Sequence, residues 1–150
     1  MILLLLLLLC VKCSDVHQHT PIKVMLLGPS SSGKTTFLHR LMGKPIEKPP
    51  STMSIKIFEK TIHYNTQILV FKLWDTAGAE KLYGTNLQYS AATNTAIFFF
   101  DATSQESYTK CLEMADSFPP KAQKILVKTK IDQVQKIPAG GIERRTVLLL

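Results

Sequence analysis

The chain of 150 residues contains few cysteines and no recognisable set of metal-binding residues. Its three cysteines, Cys10, Cys13 and Cys111, form no disulfide framework, and the pair at Cys10 and Cys13 has no second pair that would complete a zinc site. The four histidines show no ligand spacing with carboxylates or cysteines. A disulfide-stapled or zinc-stapled fold is therefore not expected, and the 45% hydrophobic content predicts one domain around an apolar core.

The sequence also lacks an apolar run long enough to cross a membrane and a cluster of basic residues. The longest run, Leu3–Leu9 with the following Cys10 and Val11, is too short to span a bilayer as a helix. It resembles the apolar part of a signal peptide, but no basic residue precedes it. The net charge of +7 comes from scattered lysines and arginines, which indicates a solvated surface rather than a nucleic-acid site. We interpret residues 1–20 first as a low-complexity apolar leader or gene-prediction artefact, second as a membrane-associating segment and third as a cleaved signal.

The most informative segment covers residues 28–35, which read Gly-Pro-Ser-Ser-Ser-Gly-Lys-Thr and fit the phosphate-loop pattern G-x-x-x-x-G-K-[ST]. An apolar strand, Ile22–Leu27, is predicted before it and an amphipathic helix, Thr36–Met42, after it. In this setting backbone N–H groups surround a phosphate chain, Lys34 reaches the outer phosphates and the Thr35 hydroxyl binds Mg²⁺. The alternative is a chance Gly/Ser-rich turn before a helix. The predicted phosphate-binding residues of this segment are Gly28, Ser31, Ser32, Gly33, Lys34, Thr35 and Thr36.

Two further polar segments follow predicted strands. Asp75 ends an apolar strand and is suited to hold Mg²⁺ through water, while the backbone N–H of Gly78 can bind a γ-phosphate. The carboxylate of Asp132 can accept hydrogen bonds from both donors on one edge of guanine, a pair of donors that adenine lacks, so the segment favours GTP over ATP. All three signals fall at the carboxyl ends of strands, where open α/β sheets bind ligands. The structural alternatives are a loop cap at Asp75, a core role for Trp74 and a helix N-cap at Asp132.

The order of the elements predicts an α/β fold of three layers, with a P-loop NTPase sheet that is mostly parallel and has one antiparallel hairpin strand. A capping box at Thr103–Glu106 predicts the start of a second helix, and Pro119 with Pro120 predicts its end. One face of this helix is apolar and consists of Tyr108, Cys111, Leu112 and Ala115. The predicted strands are Ile22–Leu27, Ile55–His63, Gln67–Trp74, Ala96–Phe100 and Lys124–Lys128.

From Pro21 to Asp132 the chain resembles the Ras superfamily of small GTPases, and its Rab branch best. The residues that carry this resemblance, besides the phosphate loop, are the strand-ending segment Trp74–Gly78, Ser51 with Thr52, Tyr89 and Asp101. The resemblance implies GTP or GDP as the ligand and Mg²⁺ held by Thr35, Thr52 and Asp75. It implies guanine contacts from Thr129, Lys130 and Asp132. Residues 44–54 and 76–90 would be the two switch segments, which GTP orders and which contact effectors and exchange factors.

The sequence departs from the family pattern in several places. Ala79 stands where the family usually has the glutamine that orients the attacking water. Thr129 stands where Ras and Rab proteins have asparagine, although the Rho branch tolerates threonine, and Lys128 replaces a residue that is commonly small. No Ser-Ala-Lys segment, final strand or closing helix is recognisable after Asp132, so residues 21–150 are expected to be a G domain that lacks the last strand and helix. Val147–Leu150 is the one candidate for a substitute edge strand.

These features predict a Rab-like, guanine-nucleotide-dependent switch in vesicle traffic with impaired conversion of GTP to GDP and phosphate. The alternatives are a GTP-binding scaffold without useful hydrolysis and a truncated product without function, while Asp132 disfavours a phosphate-loop kinase or ATPase. We expect a cytoplasmic protein, peripheral on endomembranes, rather than an exported one, because a nucleotide switch needs the GTP and Mg²⁺ of the cytosol. No prenylation cysteine is visible at the carboxyl end, so membrane association stays open, and no nucleic-acid partner is expected.

Overall fold

The structure is a computed structural model that describes residues 21–45, 54–64, 66–76 and 89–133, and the backbone of residues 146–149. The apolar leader and most of both predicted switch segments lie outside the described residues. The same holds for three individual predictions, namely Thr52 as a metal ligand, Gly78 as a phosphate contact and Ala79 at the glutamine position.

A single sheet carries the described part of the chain. Its strand order is β2-β3-β1-β4-β5-β6, and every neighbouring pair is parallel except the antiparallel hairpin of β2 and β3. The predicted α/β fold, with a mostly parallel sheet and one antiparallel hairpin strand, is confirmed. The strands are β1 Ile22–Leu27, β2 Lys56–Tyr64, β3 Gln67–Asp75, β4 Thr95–Asp101, β5 Gln123–Thr129 and β6 Thr146–Leu149.

Within the described ranges, two α-helices cover opposite faces of this sheet, because successive side chains of a strand point to opposite sides. Val24 and Leu26 of β1 belong to the apolar cluster around helix α1, Lys34–Leu41. Met25 and Leu27 belong to the cluster around helix α2, Gln105–Ser117. Neither helix is long and apolar enough to span a bilayer, and the same is true of every helix in the part of the chain that the structure describes.

The start of α2 differs from its prediction by one residue. The N-cap is Ser104 rather than Thr103, and its hydroxyl accepts a hydrogen bond of 3.1 Å from the backbone N–H of Ser107. The predicted capping box is therefore wrong, since the third helical residue is a serine and cannot return the bond as a glutamate would. Glu106 instead forms an ion pair of 2.8 Å with Lys110, one turn further along the helix.

The expected absence of a final strand is also wrong. Residues 146–149 form β6, which pairs in parallel with β5 from Ile125 opposite Thr146 to Lys128 opposite Leu149. An open strand edge presents unpaired N–H and C=O groups, and a short apolar run can satisfy them without the family's usual sequence. The candidate substitute at 147–150 is thus displaced by one residue. Residues 134–145 lie outside the described residues, so the absence of a closing helix stays a prediction.

Candidate functional site

The phosphate loop joins β1 to α1 through a backbone that only small or tolerant residues adopt. Gly28, Ser31 and Gly33 have φ angles of 144°, 60° and 89°. Such positive angles turn successive N–H groups toward the inside of a loop and create a concave anion site. Gly33 is also the N-cap of α1, and it has no side chain that could cap the first turn. The loop and the positive end of the helix dipole therefore offer donors to an anion.

Lys34 lies folded under this loop. Its side chain is 5% exposed, and its Nζ donates hydrogen bonds of 2.8 Å to the carbonyl oxygens of Gly28 and Pro29. Burial lowers the pKa of Lys34 to about 8, although the nearby charge of Asp75 opposes the shift. The hydrogen-bond acceptors of this ammonium group, including the Ser32 hydroxyl at 3.4 Å, are all neutral. It therefore gains a stronger partner when an anion enters the loop, because hydrogen bonds between two ionised groups are short and strong.

The lowered pKa of Lys34 predicts an unusual alkaline gain in stability. Between pH about 8 and the ordinary lysine value of 10.5, the unfolded chain holds a proton that the folded chain has released. The free energy of unfolding of the nucleotide-free protein should therefore rise across this window, by up to about 3 kcal/mol. Urea unfolding at pH values from about 7.5 to 10 measures the rise, and Lys34→Met is the control that should lack it. Equal profiles for the two proteins would contradict the assignment.

Thr35 and Asp75 meet between β1 and β3. The Thr35 hydroxyl donates a hydrogen bond of 2.9 Å to Oδ2 of Asp75, whose side chain is fully buried. Burial raises the pKa of Asp75, while the Thr35 hydrogen bond and the charge of Lys34 oppose that rise. The second carboxylate oxygen, Oδ1, is buried and has no hydrogen-bond partner among the described residues.

The Thr35 hydroxyl and the Asp75 carboxylate fit Mg²⁺, which prefers oxygen ligands and commonly takes only one or two carboxylates from the protein. A buried oxygen without a partner is costly, and a cation or its bound water would satisfy it. The described residues contain no cluster of three His, Cys, Asp or Glu side chains that could hold a metal ion. Thr52, the other predicted ligand, lies outside the described residues.

Thr76 has a structural role that the sequence did not reveal. Its side chain is buried, and its hydroxyl donates a hydrogen bond of 2.7 Å to the carbonyl oxygen of Leu26 in β1. This bond ties the residue that follows β3 to the strand that carries the phosphate loop. A threonine after a strand-ending aspartate is a weak signal, because its hydroxyl partner lies 50 positions away in sequence.

Thr129 links the predicted base site to the phosphate loop. It ends β5 and is buried, and its hydroxyl lies 3.0 Å from the carbonyl oxygens of both Ser32 and Phe100. Its methyl carbon would lie 3.3 Å from a β carbon placed on Gly33. The threonine that replaces the family's asparagine therefore still joins the two segments by side-chain contact.

Lys130 and Asp132 follow at the same edge of the sheet. Lys130 adopts a left-handed φ of 57°, and its Nζ forms an ion pair of 2.5 Å with Oδ2 of Asp101 at the end of β4. The other oxygen of Asp101 accepts bonds from the N–H and hydroxyl of Thr103, at 2.8 and 2.6 Å. Burial tends to raise the pKa of Asp101, but the bonds from Lys130 and Thr103 lower it overall. Asp132 is exposed in the 3-10 helix Ile131–Gln133.

The described site thus forms one band along the carboxyl ends of β1, β3, β4 and β5. Lys34, Thr35 and Asp75 lie together, and Thr129 connects them to the segment that ends at Asp132. Residues 23–132, most of the chain, match the family model described as "Ras of Complex, Roc, domain of DAPkinase". The match includes the phosphate loop, Asp75 and Asp132. It confirms the predicted membership of the Ras superfamily, whereas the Rab branch stays a prediction.

Proposed function

The chain belongs to the Roc family of Ras-like GTPase domains, and from this membership we propose a Rab-like switch that holds GTP and recruits effectors in vesicle traffic. At the coarser level it is a guanine-nucleotide-binding domain of the switch type. The observation that best supports the proposal is the meeting of the Thr35 hydroxyl with the buried carboxylate of Asp75 beside Lys34. When bound there, Mg²⁺ would neutralise charge on the β- and γ-phosphates.

Exposed apolar side chains beside the switch segments support effector recruitment. Ile57 of β2 is 54% exposed and stands opposite Trp74 of β3, and the Trp74 ring lies 5.8 Å from the ring of Tyr89, which is 39% exposed. Contiguous apolar patches on a soluble protein commonly mark interaction sites. We therefore assign effectors and exchange factors to residues 44–54 and 76–90 together with this patch. The proposed role in vesicle traffic would place the protein peripherally on endomembranes.

The nucleotide assignment has a direct test. Calorimetric titration of the full chain with GDP, GTP and ATP, with and without Mg²⁺, should give guanine-selective binding that Mg²⁺ strengthens for GTP. Equal binding of ATP would contradict the guanine assignment. Binding that is unchanged by Mg²⁺ would contradict the pairing of Thr35 with Asp75 as metal ligands.

Slow hydrolysis follows from Ala79, whose methyl group can neither donate nor accept a hydrogen bond to water. Positioning of the attacking water supplies much of phosphoryl-transfer catalysis, so the natural protein should load GTP and hold it. The variant Ala79→Gln should release phosphate roughly ten- to a hundredfold faster in a single turnover, with GTP affinity nearly unchanged.

The same experiment separates the switch from a non-hydrolysing scaffold, the alternative that Ala79 also favours. Phosphate release by the natural protein that equals that of Ala79→Gln would show that another group positions the water. No release by either protein over hours would favour the scaffold. The matched variant Ala79→Leu controls for side-chain size, since it adds volume without a hydrogen-bonding group.

A further inference from the structure

A groove lies at the edge of the sheet opposite the phosphate loop. It encloses about 850 Å³ at the amino ends of β1, β4 and β5, where Pro21, Asn94 and Ala122 line it. Cavities of this size are typical of sites that bind ligands. None of the nucleotide-site residues described above lines it, so its occupant is separate from the nucleotide.

The base of the groove is held by backbone-directed hydrogen bonds. The side-chain oxygen of Asn94 accepts a bond of 2.8 Å from the N–H of Lys23, and the N–H of Asn94 donates to the Lys23 carbonyl at 3.1 Å. The carbonyl of Asn94 in turn accepts a bond of 3.0 Å from the N–H of Gln123. One residue therefore connects the starts of β1, β4 and β5, which makes the groove largely pre-formed.

Three lysines line the groove, and no acidic residue does. Lys72 and Lys121 are exposed and Lys23 is half-buried, and none of the three forms an ion pair within the described ranges. Glu59 stands opposite Lys72 in the β2–β3 register, yet it makes no ion pair with that lysine. Three lysines around one concavity whose described lining contains no carboxylate favour an anionic occupant.

The wall between these lysines is apolar and aromatic. Lys23 places its Nζ 4.3 Å from the centre of the Trp74 ring, and it donates hydrogen bonds to the carbonyl oxygens of Tyr89 and Ala91. Nε1 of Trp74 is buried and has no acceptor among the described residues. Alanines and prolines complete the wall, including Ala92 and Pro119. The groove thus combines an apolar pocket for a side chain with cations at its rim.

We propose that this groove binds an acidic segment of a partner protein, in which carboxylates flank an apolar side chain. The carboxylates would lie against Lys72 and Lys121, and the apolar side chain against Trp74. A membrane surface is too flat to enter the concavity, and a second copy of this chain is disfavoured by its net charge of +7. The groove shares Trp74 with the proposed effector patch and Ser90 with residues 76–90, so this inference rests on the proposed function and deepens it by naming the chemistry of one partner.

Trp74 is the only tryptophan of the chain, so its fluorescence reports directly on this groove. The intact protein is titrated with the blocked peptide Glu-Glu-Leu-Glu-Glu, and a saturable change in Trp74 emission is expected. The double variant Lys72→Glu with Lys121→Glu should raise the half-saturating peptide concentration roughly tenfold or more. Sodium chloride at about 0.5 M should weaken binding as well.

The matched control is the double variant Arg40→Glu with Lys60→Glu, which makes the same change in charge outside the groove, at an exposed position of α1 and a partly exposed position of β2. It should bind the peptide within about twofold of the natural chain. The proposal is overturned if both double variants lose binding equally, or if the natural chain gives no response. Inorganic phosphate, the peptide Lys-Lys-Leu-Lys-Lys or phosphatidylserine vesicles should give no saturable response, and an equal response to any of them would overturn the assignment.

Discussion

Replacing Gly28 with alanine is expected to lower the free energy of unfolding by about 3 to 5 kcal/mol, a large part of the stability of a small domain. Two independent effects contribute. The φ of 144° lies in a region that residues with a β carbon rarely adopt, and the added carbon would lie 2.3 Å from the carbonyl oxygen of Phe99. That oxygen belongs to β4, which pairs directly with β1, so it cannot move away without disturbing the sheet.

Gly43 provides the control for the effect of a positive φ angle alone. Its φ is 67°, but a β carbon there would meet nothing within 4 Å. The variant Gly43→Ala should therefore lose only about 1 to 2 kcal/mol. Urea unfolding of both variants without nucleotide gives the comparison. A similar loss in the two variants would mean that the close approach of Gly28 to Phe99 contributes nothing.

The variant Asp132→Asn should lose GTP affinity by about 3 kcal/mol, or roughly a hundredfold, while its stability stays unchanged. Asparagine presents one acceptor and one donor where guanine needs two acceptors, so one donor of the base loses its partner. Xanthine has an oxygen in place of the 2-amino group, and this oxygen can accept a hydrogen bond from the asparagine amide. Xanthine nucleotides should therefore bind better relative to guanine nucleotides. Because Asp132 is exposed on a short 3-10 helix, the substitution removes no core contact.

Calorimetry with GDP and xanthosine diphosphate, together with thermal unfolding, separates these effects. Glu113→Gln, at an exposed position of α2, makes the equivalent change of a carboxylate to an amide away from the site and should leave both measurements unaltered. Unchanged guanine affinity in Asp132→Asn would show that this residue does not recognise the base. A parallel loss of stability would instead indicate the helix N-cap role that the sequence left open.

Most of the sheet could be predicted because its strands carry strong local patterns. The bounds of β1 match the prediction, since a continuous apolar run lies between Pro21 and Gly28. Strand β2 begins and ends one residue later than predicted, and β3 ends one residue later, at Asp75. The pairing of Asp75 with Lys56 and of Gln67 with Tyr64 sets these ends. The N-cap of α2 was displaced by one residue because Thr103 and Ser104 are both capping residues, and only the bond to Ser107 distinguishes them.

The candidate site could be predicted only as separate segments. A phosphate-loop pattern and an aspartate after a strand can be read from neighbouring residues, and their joint order indicates a nucleotide site. The partners of these residues lie far away in sequence. Thr129 reaches Ser32 over 97 positions, Thr35 reaches Asp75 over 40, and Lys130 reaches Asp101 over 29. No local sequence pattern specifies which of these distant groups will form a hydrogen bond with each other.

The α/β class, the phosphate loop and the residue types of the site could be read from the sequence, because they depend on hydrophobic period and on the backbone preferences of glycines. The three-dimensional arrangement was needed to show that Thr129 joins the base segment to the loop and that Asp101 holds Lys130. It was also needed to show that residues 146–149 extend the sheet and that three scattered lysines line one groove. Each of these depends on strand order and register, which bring distant residues together through the pairing of whole strands.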